Sequence, residues 1–197
     1  MIIEYAMTEI IKEDIKTWQK TEGIKTIYEI GAKEDFSIID FGCGDGRFTI
    51  AEAFACPKGN VFGVDIDSNA LEFLDSKAKE YGLKNIKTVL ADNVLSFENN
   101  SIDMITMNDL IHDIKDTYKL LKEFKQKLKP NGILAITPFH LSKDEIEKMI
   151  LDIVGYGYTL NNTVKNGGIH FGRITKVNGA WKRLSDFERS DIYCFRS

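Results

Sequence analysis

Cysteine is scarce in this chain and poorly spaced for chemistry: Cys43, Cys56 and Cys194 form no C-x-x-C pair and no Cys/His cluster at metal-ligand spacing. That spacing excludes a disulfide framework and a zinc site of the usual patterns, so three reduced thiols and no metal are expected. Long apolar runs are missing too. No stretch approaches the roughly 20 uninterrupted apolar residues of a membrane span, and residues Met1 to Glu13 carry acids where a signal peptide would carry bases. A cytoplasmic protein is the expectation. Nor is positive charge in excess. With a formal net charge of -4 and a pI near 5.5, the chain lacks the general positive field that phosphate-backbone binding needs, which disfavours nucleic acid as a partner. Internal repeats and low-complexity tracts are absent.

What is present is ordinary for one soluble domain: 197 residues, 43% apolar and 28% charged. Residues Thr8 to Gln19 and Ile24 to Ile30 have the mixed spacing of amphipathic helices. Five short apolar runs follow, at Ser37 to Phe41, Val61 to Val64, Ile86 to Leu90, Ile102 to Met107 and Gly132 to Thr137, and read as strands buried on both faces. Between them lie helical patterns. Ser68 is expected to cap a helix carrying Ala70, Leu71, Leu74, Ala78 and Tyr81, and Thr117, Leu121, Phe124 and Leu128 repeat that spacing until Pro130-Asn131-Gly132 stops it. Ser142 with Glu145 predicts a capping box ahead of Ile146, Met149, Ile150 and Ile153.

This alternation predicts an α/β fold, a doubly wound and mostly parallel sheet with helices on both faces. After Gly155 the helical period is lost, and an antiparallel C-terminal section is expected, closing with a strand at Ile192 to Phe195. The division expected is a single domain over 1–197: a helical cover at 1–36, a βα core at 37–154 and a β section at 155–197. Ligands of such sheets bind at the carboxyl ends of the strands.

The first of those ends is Asp40-Phe41-Gly42-Cys43-Gly44-Asp45-Gly46-Arg47. Three alternate glycines exceed what a strand-to-helix turn needs and suit a backbone pressed against a ligand. The spacing is not the G-x-G-x-x-G of dinucleotide folds: counted from Gly42 the last place is Arg47, and counted from Gly44 it is Thr49. Asp40 would repel a pyrophosphate and attract a ligand with an ammonium and a sulfonium.

The acid followed by G-x-G-x-G, from Asp40 to Gly46, resembles the first motif of the class I S-adenosylmethionine-dependent methyltransferases, with their Rossmann-like fold. Gly63-Val64-Asp65-Ile66-Asp67 resembles the second motif. There an acid at the end of strand two accepts from both ribose hydroxyls, a place taken here by Asp65, and Ile66 would pack on the adenine. Ala91-Asp92-Asn93 resembles the third, in which an acid accepts from the adenine amino group. The resemblance implies S-adenosylmethionine as cofactor, held by Asp40, Gly42, Cys43, Gly44, Gly46, Asp65, Ile66, Asp92, Asn93 and Asn108. It covers about residues 37 to 137.

Leu110-Ile111-His112-Asp113 resembles the subgroup of ubiquinone and menaquinone methyltransferases, where a histidine pair often follows strand four; here the second place is Asp113. His112 is the candidate base at the end of strand four, and His140, after Thr137-Pro138-Phe139, is a second. His170, in Gly167-Gly168-Ile169-His170-Phe171, could also face a substrate. The Asn/Asp-Pro-Pro-Tyr/Phe signature of adenine-modifying enzymes is absent, Met107-Asn108-Asp109-Leu110 standing in its place. The function expected is methyl transfer to a nucleophile on a small molecule, in a pocket bounded by Asn108, His112 and His140. Alternatives are a protein or RNA acceptor, or a cofactor-binding module without turnover; a nicotinamide oxidoreductase and an aminopropyl transferase are further rivals. The oligomeric state is not legible.

Overall fold

In a computed structural model, the backbone is described for residues 9–91, 96–170, 174–177, 180–183 and 188–197, and side chains for 13–91, 96–170 and 188–197. Helices α1 (Glu9–Lys20) and α2 (Glu22–Ile30) precede the first strand, β1 (Ser37–Phe41). Then come α3 (Arg47–Ala55), β2 (Asn60–Asp65), α4 (Ser68–Tyr81), β3 (Ile86–Leu90), β4 (Ile102–Asn108), α5 (Thr117–Lys127), β5 (Leu128–Thr137) and α6 (Lys143–Gly155). The chain closes with β6 (Thr159–His170), a small ribbon of β7 (Ile174–Val177) and β8 (Ala180–Arg183), and β9 (Glu188–Arg196).

The main sheet has the order β3-β2-β1-β4-β5-β9-β6. Its first five strands are parallel, while β9 runs antiparallel to both β5 and β6. The expected α/β class and antiparallel ending are both present. β9 enters the sheet between β5 and β6, so the last strand in sequence is not the edge.

Burial on two faces explains why β1 and β4 read as nearly unbroken apolar runs, whereas β3, at the sheet edge, has no fully buried residue and leaves Leu90 exposed, so the expectation of burial on both faces fails there. Ile38 and Ile39 are both fully buried although consecutive strand residues point to opposite faces. Ile39 packs with Leu121 and Phe124 of α5 and Ile153 of α6, whereas Ile38 packs with Ile27 and Ile30 of α2 and Ala53 of α3. Each such isoleucine contributes roughly 1.5–3 kcal/mol relative to leaving it in water. Trp18 of α1 is core as well, edge-on to Phe48 at 5.0 Å.

Two local readings are corrected. The side chain that caps α4 is Asp67, accepting from the Asn69 N–H at 2.9 Å, one residue before Ser68. Strand β5 starts at Leu128 and carries Pro130-Asn131-Gly132 within it, because Leu128 pairs with Ile102 before a register shift. The Ser142–Glu145 capping box is formed as expected. Among the described residues no helix is long and apolar enough to cross a membrane.

Candidate active site

The order of the sheet reverses between β1 and β4, and the glycine loop sits at that switch point, where α/β sheets hold their ligands. The loop is tied to β2: the Gly42 and Cys43 N–H groups donate to the Val64 carbonyl at 2.8 and 3.0 Å. Gly44 has φ +51, in the left-handed region, and a Cβ built on it would meet nothing within 4 Å. Its backbone therefore borders open space, and its N–H donates to Asp65 Oδ2 at 2.8 Å. The other Asp65 oxygen accepts from the Asp67 N–H at 3.0 Å. Asp65 is thus fixed from two sides at the end of β2, with lone pairs left over for a ligand.

Beneath the loop lies a buried acid pair. Asp40 in β1 stands opposite Thr106 in β4, and Thr49 and Glu52 come from one face of α3. Thr49 Oγ1 donates to Asp40 Oδ2 at 2.6 Å, and Thr106 Oγ1 lies 2.7 Å from Glu52 Oε1 and 3.3 Å from Asp40 Oδ1. One hydroxyl proton cannot serve both acids fully. Burial pushes the Asp40 carboxyl up to about 6 against the pull of its hydroxyl donors, and burial together with the Asp40 charge raises Glu52 well above the usual carboxylate range. Glu52 is accordingly the neutral partner. Its proton can go to Thr106, whose own hydrogen then turns to Asp40, leaving one negative charge under Gly44.

The sign of the pH effect follows. Both acids hold their protons to higher pH in the folded chain than in the unfolded one, so this pair lowers stability as pH rises above roughly 4. Glu52→Gln, which keeps the shape and a donor toward Thr106, should raise the melting temperature at pH 8 and change it less at pH 5. A gain of 1 kcal/mol in a chain this size is about 2–4 °C. Equal or lower melting at both pH values would show that Glu52 is not held protonated at a cost.

Over the loop opens a cavity of about 240 Å³, whose walls include Asp40, Gly44, Asn108, Asp109, Phe139 and His170. Asn108 is held by Thr137 Oγ1, which donates to its Oδ1 at 2.8 Å, while its buried Nδ2 faces Asp40 without a well-formed hydrogen bond. A donor with no partner, a negative charge and open backbone in one small space fit a ligand end bearing both a carboxylate and an ammonium. Cys43 also lines this cavity, its thiol raised by burial and by Asp40 and so kept neutral. Ile66 projects almost wholly into solvent at 84% exposure, an apolar platform with no protein against it.

The expected residues divide accordingly. Asp40, Gly42, Cys43, Gly44 and Asn108 line the cavity, while Gly46 caps α3 and packs on Leu74. Asp65 ends β2 and Ile66 follows it, and neither is among the cavity's walls. Asp92 and Asn93 fall outside the described residues. His112 and His140 stand beside the cavity and are not among its walls; the imidazole that lines it is His170. Their rings nonetheless meet, with centroids 5.2 Å apart for His112 and His140 and 6.1 Å for His140 and His170. Sequence reasoning missed Asp109, whose only signal was its place directly after Asn108.

A family profile described as "Methyltransferase domain" matches residues 32–175. The demethylmenaquinone methyltransferase of Staphylococcus aureus (strain JH9) is 34% identical over 125 residues, which are 62% of this chain and 49% of that protein. The chain thus spans about half the length of the curated relatives it matches. Among solved structures, a SAM-dependent methyltransferase from Aquifex aeolicus superposes with a TM-score of 0.64 at 22% identity, over 95% of this chain and 97% of the other. The [4+2]-cyclase SpnF shares the fold at a TM-score of 0.64 and 16% identity, over 73% of this chain and 59% of its own.

Proposed function

The chain belongs to the S-adenosylmethionine-dependent class I methyltransferases, and on that premise we propose that it transfers the cofactor's methyl group to a nucleophilic atom of a small-molecule acceptor. The observation that carries the reading is the open space over Gly44, whose walls include the negative Asp40 and Asn108, the buried Nδ2 of Asn108 facing Asp40 without a well-formed hydrogen bond. In this reading the methionine end of the cofactor rests on Gly42, Cys43 and Gly44. Asp65 accepts from the ribose and Ile66 covers the adenine, with Asp92 and Asn93 assigned to the adenine edge from the sequence pattern alone. When bound, the cofactor supplies an electrophilic methyl carbon on a positively charged sulfur.

The chain's task is then to hold the acceptor in line, keep water out and take up any proton released. Phe48, Phe139 and Ile169 make part of the wall apolar, which suits a small organic acceptor more than a charged polymer. His140 neighbours the lining His170, ring centroids 6.1 Å apart, and His112 meets His140 in turn. The S. aureus protein's name supplies the first acceptor to try, a demethylmenaquinone. SpnF is a reminder that this fold also carries a name for other chemistry, so turnover has to be measured.

The purified protein should bind S-adenosylhomocysteine and not NAD in calorimetry, and should move labelled methyl from the cofactor into a small organic product, starting with a short-chain demethylmenaquinone in reduced form. Label recovered in protein or RNA would overturn the small-molecule acceptor. Cofactor binding without turnover across acceptors would point instead to a binding module.

A further inference from the structure

All three histidines of the chain, separated by about thirty residues each in sequence, come together at one corner of the cavity. His112 lies after β4, His140 after β5 and His170 at the end of β6. Asp109 joins them. Its backbone is left-handed at φ +57, and its N–H is held by the Thr137 carbonyl at 3.0 Å. Asp109 Oδ1 is buried, makes no aligned hydrogen bond, and faces His140 Nε2 at 3.3 Å, so a small rotation of either group completes the bond. Asp109 and His170 both line the cavity.

The route of β6 explains how a residue so late in the chain reaches this corner. A Cβ on Gly168 would lie 2.2 Å from Thr137 Cγ2, so the missing side chain lets β6 pass tightly over the end of β5. His170 is then packed against Phe139, ring centroids 5.9 Å apart. Among the described residues no three His, Cys, Asp or Glu side chains are arranged to hold a metal ion.

We propose that His170 accepts the proton released in the transfer, positioned by His140 and Asp109, and therefore that the acceptor is a compound whose nucleophilic atom carries a hydrogen it must lose. This rests on the methyltransferase reading above and narrows its substrate class. Balanced, the step forms a bond from the acceptor's nucleophilic atom to the methyl carbon, and breaks the carbon–sulfur bond with its electron pair left on sulfur. The acceptor's proton passes to the His170 imidazole and from there to solvent. A base must be neutral to act. Burial, then the Arg47 guanidinium, push the His170 imidazole below its ordinary range, with a smaller push from His140; Asp109 and Glu188 pull the other way. His170 is therefore unprotonated at neutral pH and becomes unable to accept as pH falls through its lowered value.

Three imidazoles can be followed separately by nitrogen-detected NMR, and S-adenosylhomocysteine is the probe for the cofactor site. Binding of that probe by the wild-type protein tests the methyltransferase reading; its absence would sink that reading and not this assignment in particular. With binding intact, His170 should titrate below the ordinary histidine range, shift on addition of the probe, and move further down in Asp109→Asn, which removes an upward pull. In transfer assays with reduced demethylmenaquinone, simple phenols and thiols, His170→Gln should retain probe affinity within about threefold, lose about 10²- to 10⁴-fold in kcat, and lose the acid limb of the kcat/KM profile. His140→Gln should shift that limb with a smaller loss of rate. A wild-type rate with an unchanged acid limb in His170→Gln, or a His170 that titrates normally and ignores both the probe and Asp109→Asn, would overturn the assignment.

Discussion

Gly44→Val should give a folded protein that has lost S-adenosylhomocysteine binding by more than about a hundredfold. Two independent facts lead to this. The first is spatial: a side chain at residue 44 meets no protein atom within 4 Å, so the volume it takes is the ligand's and not the core's. The second is conformational, since φ +51 disfavours a β-branched residue by roughly 1–2 kcal/mol and the loop would relax away from the geometry that offers the Gly44 N–H to Asp65. The neighbouring glycines make the contrast that tests the argument. A Cβ at Gly42 would fall 2.5 Å from Leu110 Cδ2, and one at Gly46 would fall 2.5 Å from Leu74 Cδ1. Valine at Gly46 should therefore lower thermal stability most, because Leu74 is fully buried and has little room to move, at Gly42 less, because Leu110 is only partly buried, and at Gly44 by only a few degrees. Calorimetry with circular dichroism on the three variants separates the cases, and a Gly44→Val protein that binds normally would remove this loop from the cofactor site.

The sequence carried those parts of the fold and site that depend on local patterns. The bounds of β1 and β3 match the apolar runs at Ser37 to Phe41 and Ile86 to Leu90, for β1 because burial on both faces leaves no polar alternation to confuse, and for β3, an edge strand with no fully buried residue, because β-branched residues dominate it. The glycine loop was legible for a similar reason, its requirement being backbone conformation, which only a few residue types meet. Turn chemistry was less dependable where pairing overrode it: Pro130-Asn131-Gly132 looks like a stop between elements, yet it lies inside β5 once Leu128 pairs with Ile102. The acid–base corner was the least legible part. His112 and His140 are the candidate bases because each follows a parallel strand, with His170 only a further residue that could face a substrate, but it is His170, with Asp109, that lines the cavity. Which histidine reaches the cavity depends on β6 closing over Thr137 through Gly168, a contact between residues 31 apart. Glu52 was passed over likewise, since nothing in its helix announces that it faces Asp40 across Thr106.

Asp65→Ala should weaken S-adenosylhomocysteine binding by about 1.5–3 kcal/mol, the range for hydrogen bonds to a charged group, or roughly 10- to 150-fold. The carboxylate has two duties that this substitution removes together. It holds the Gly44 and Asp67 N–H groups at 2.8 and 3.0 Å, which fixes the loop against β2, and its remaining lone pairs are the proposed acceptors for the ribose diol. Loop and ribose contributions separate by ligand as well as by residue. If Asp65 acts on the ribose, an analogue lacking the 2′-hydroxyl should already bind less well to the wild-type protein and should lose less on going to Asp65→Ala, because the two changes delete one interaction. If it acts through the loop alone, both ligands should lose the same factor. Asp65→Asn keeps one oxygen able to accept from Gly44 but turns its amide NH2 toward the Asp67 N–H, so it should lower the melting temperature slightly as well as bind about tenfold less tightly. Equal losses for the two ligands in Asp65→Ala would make Asp65 a brace for the glycine loop and move the ribose contact elsewhere.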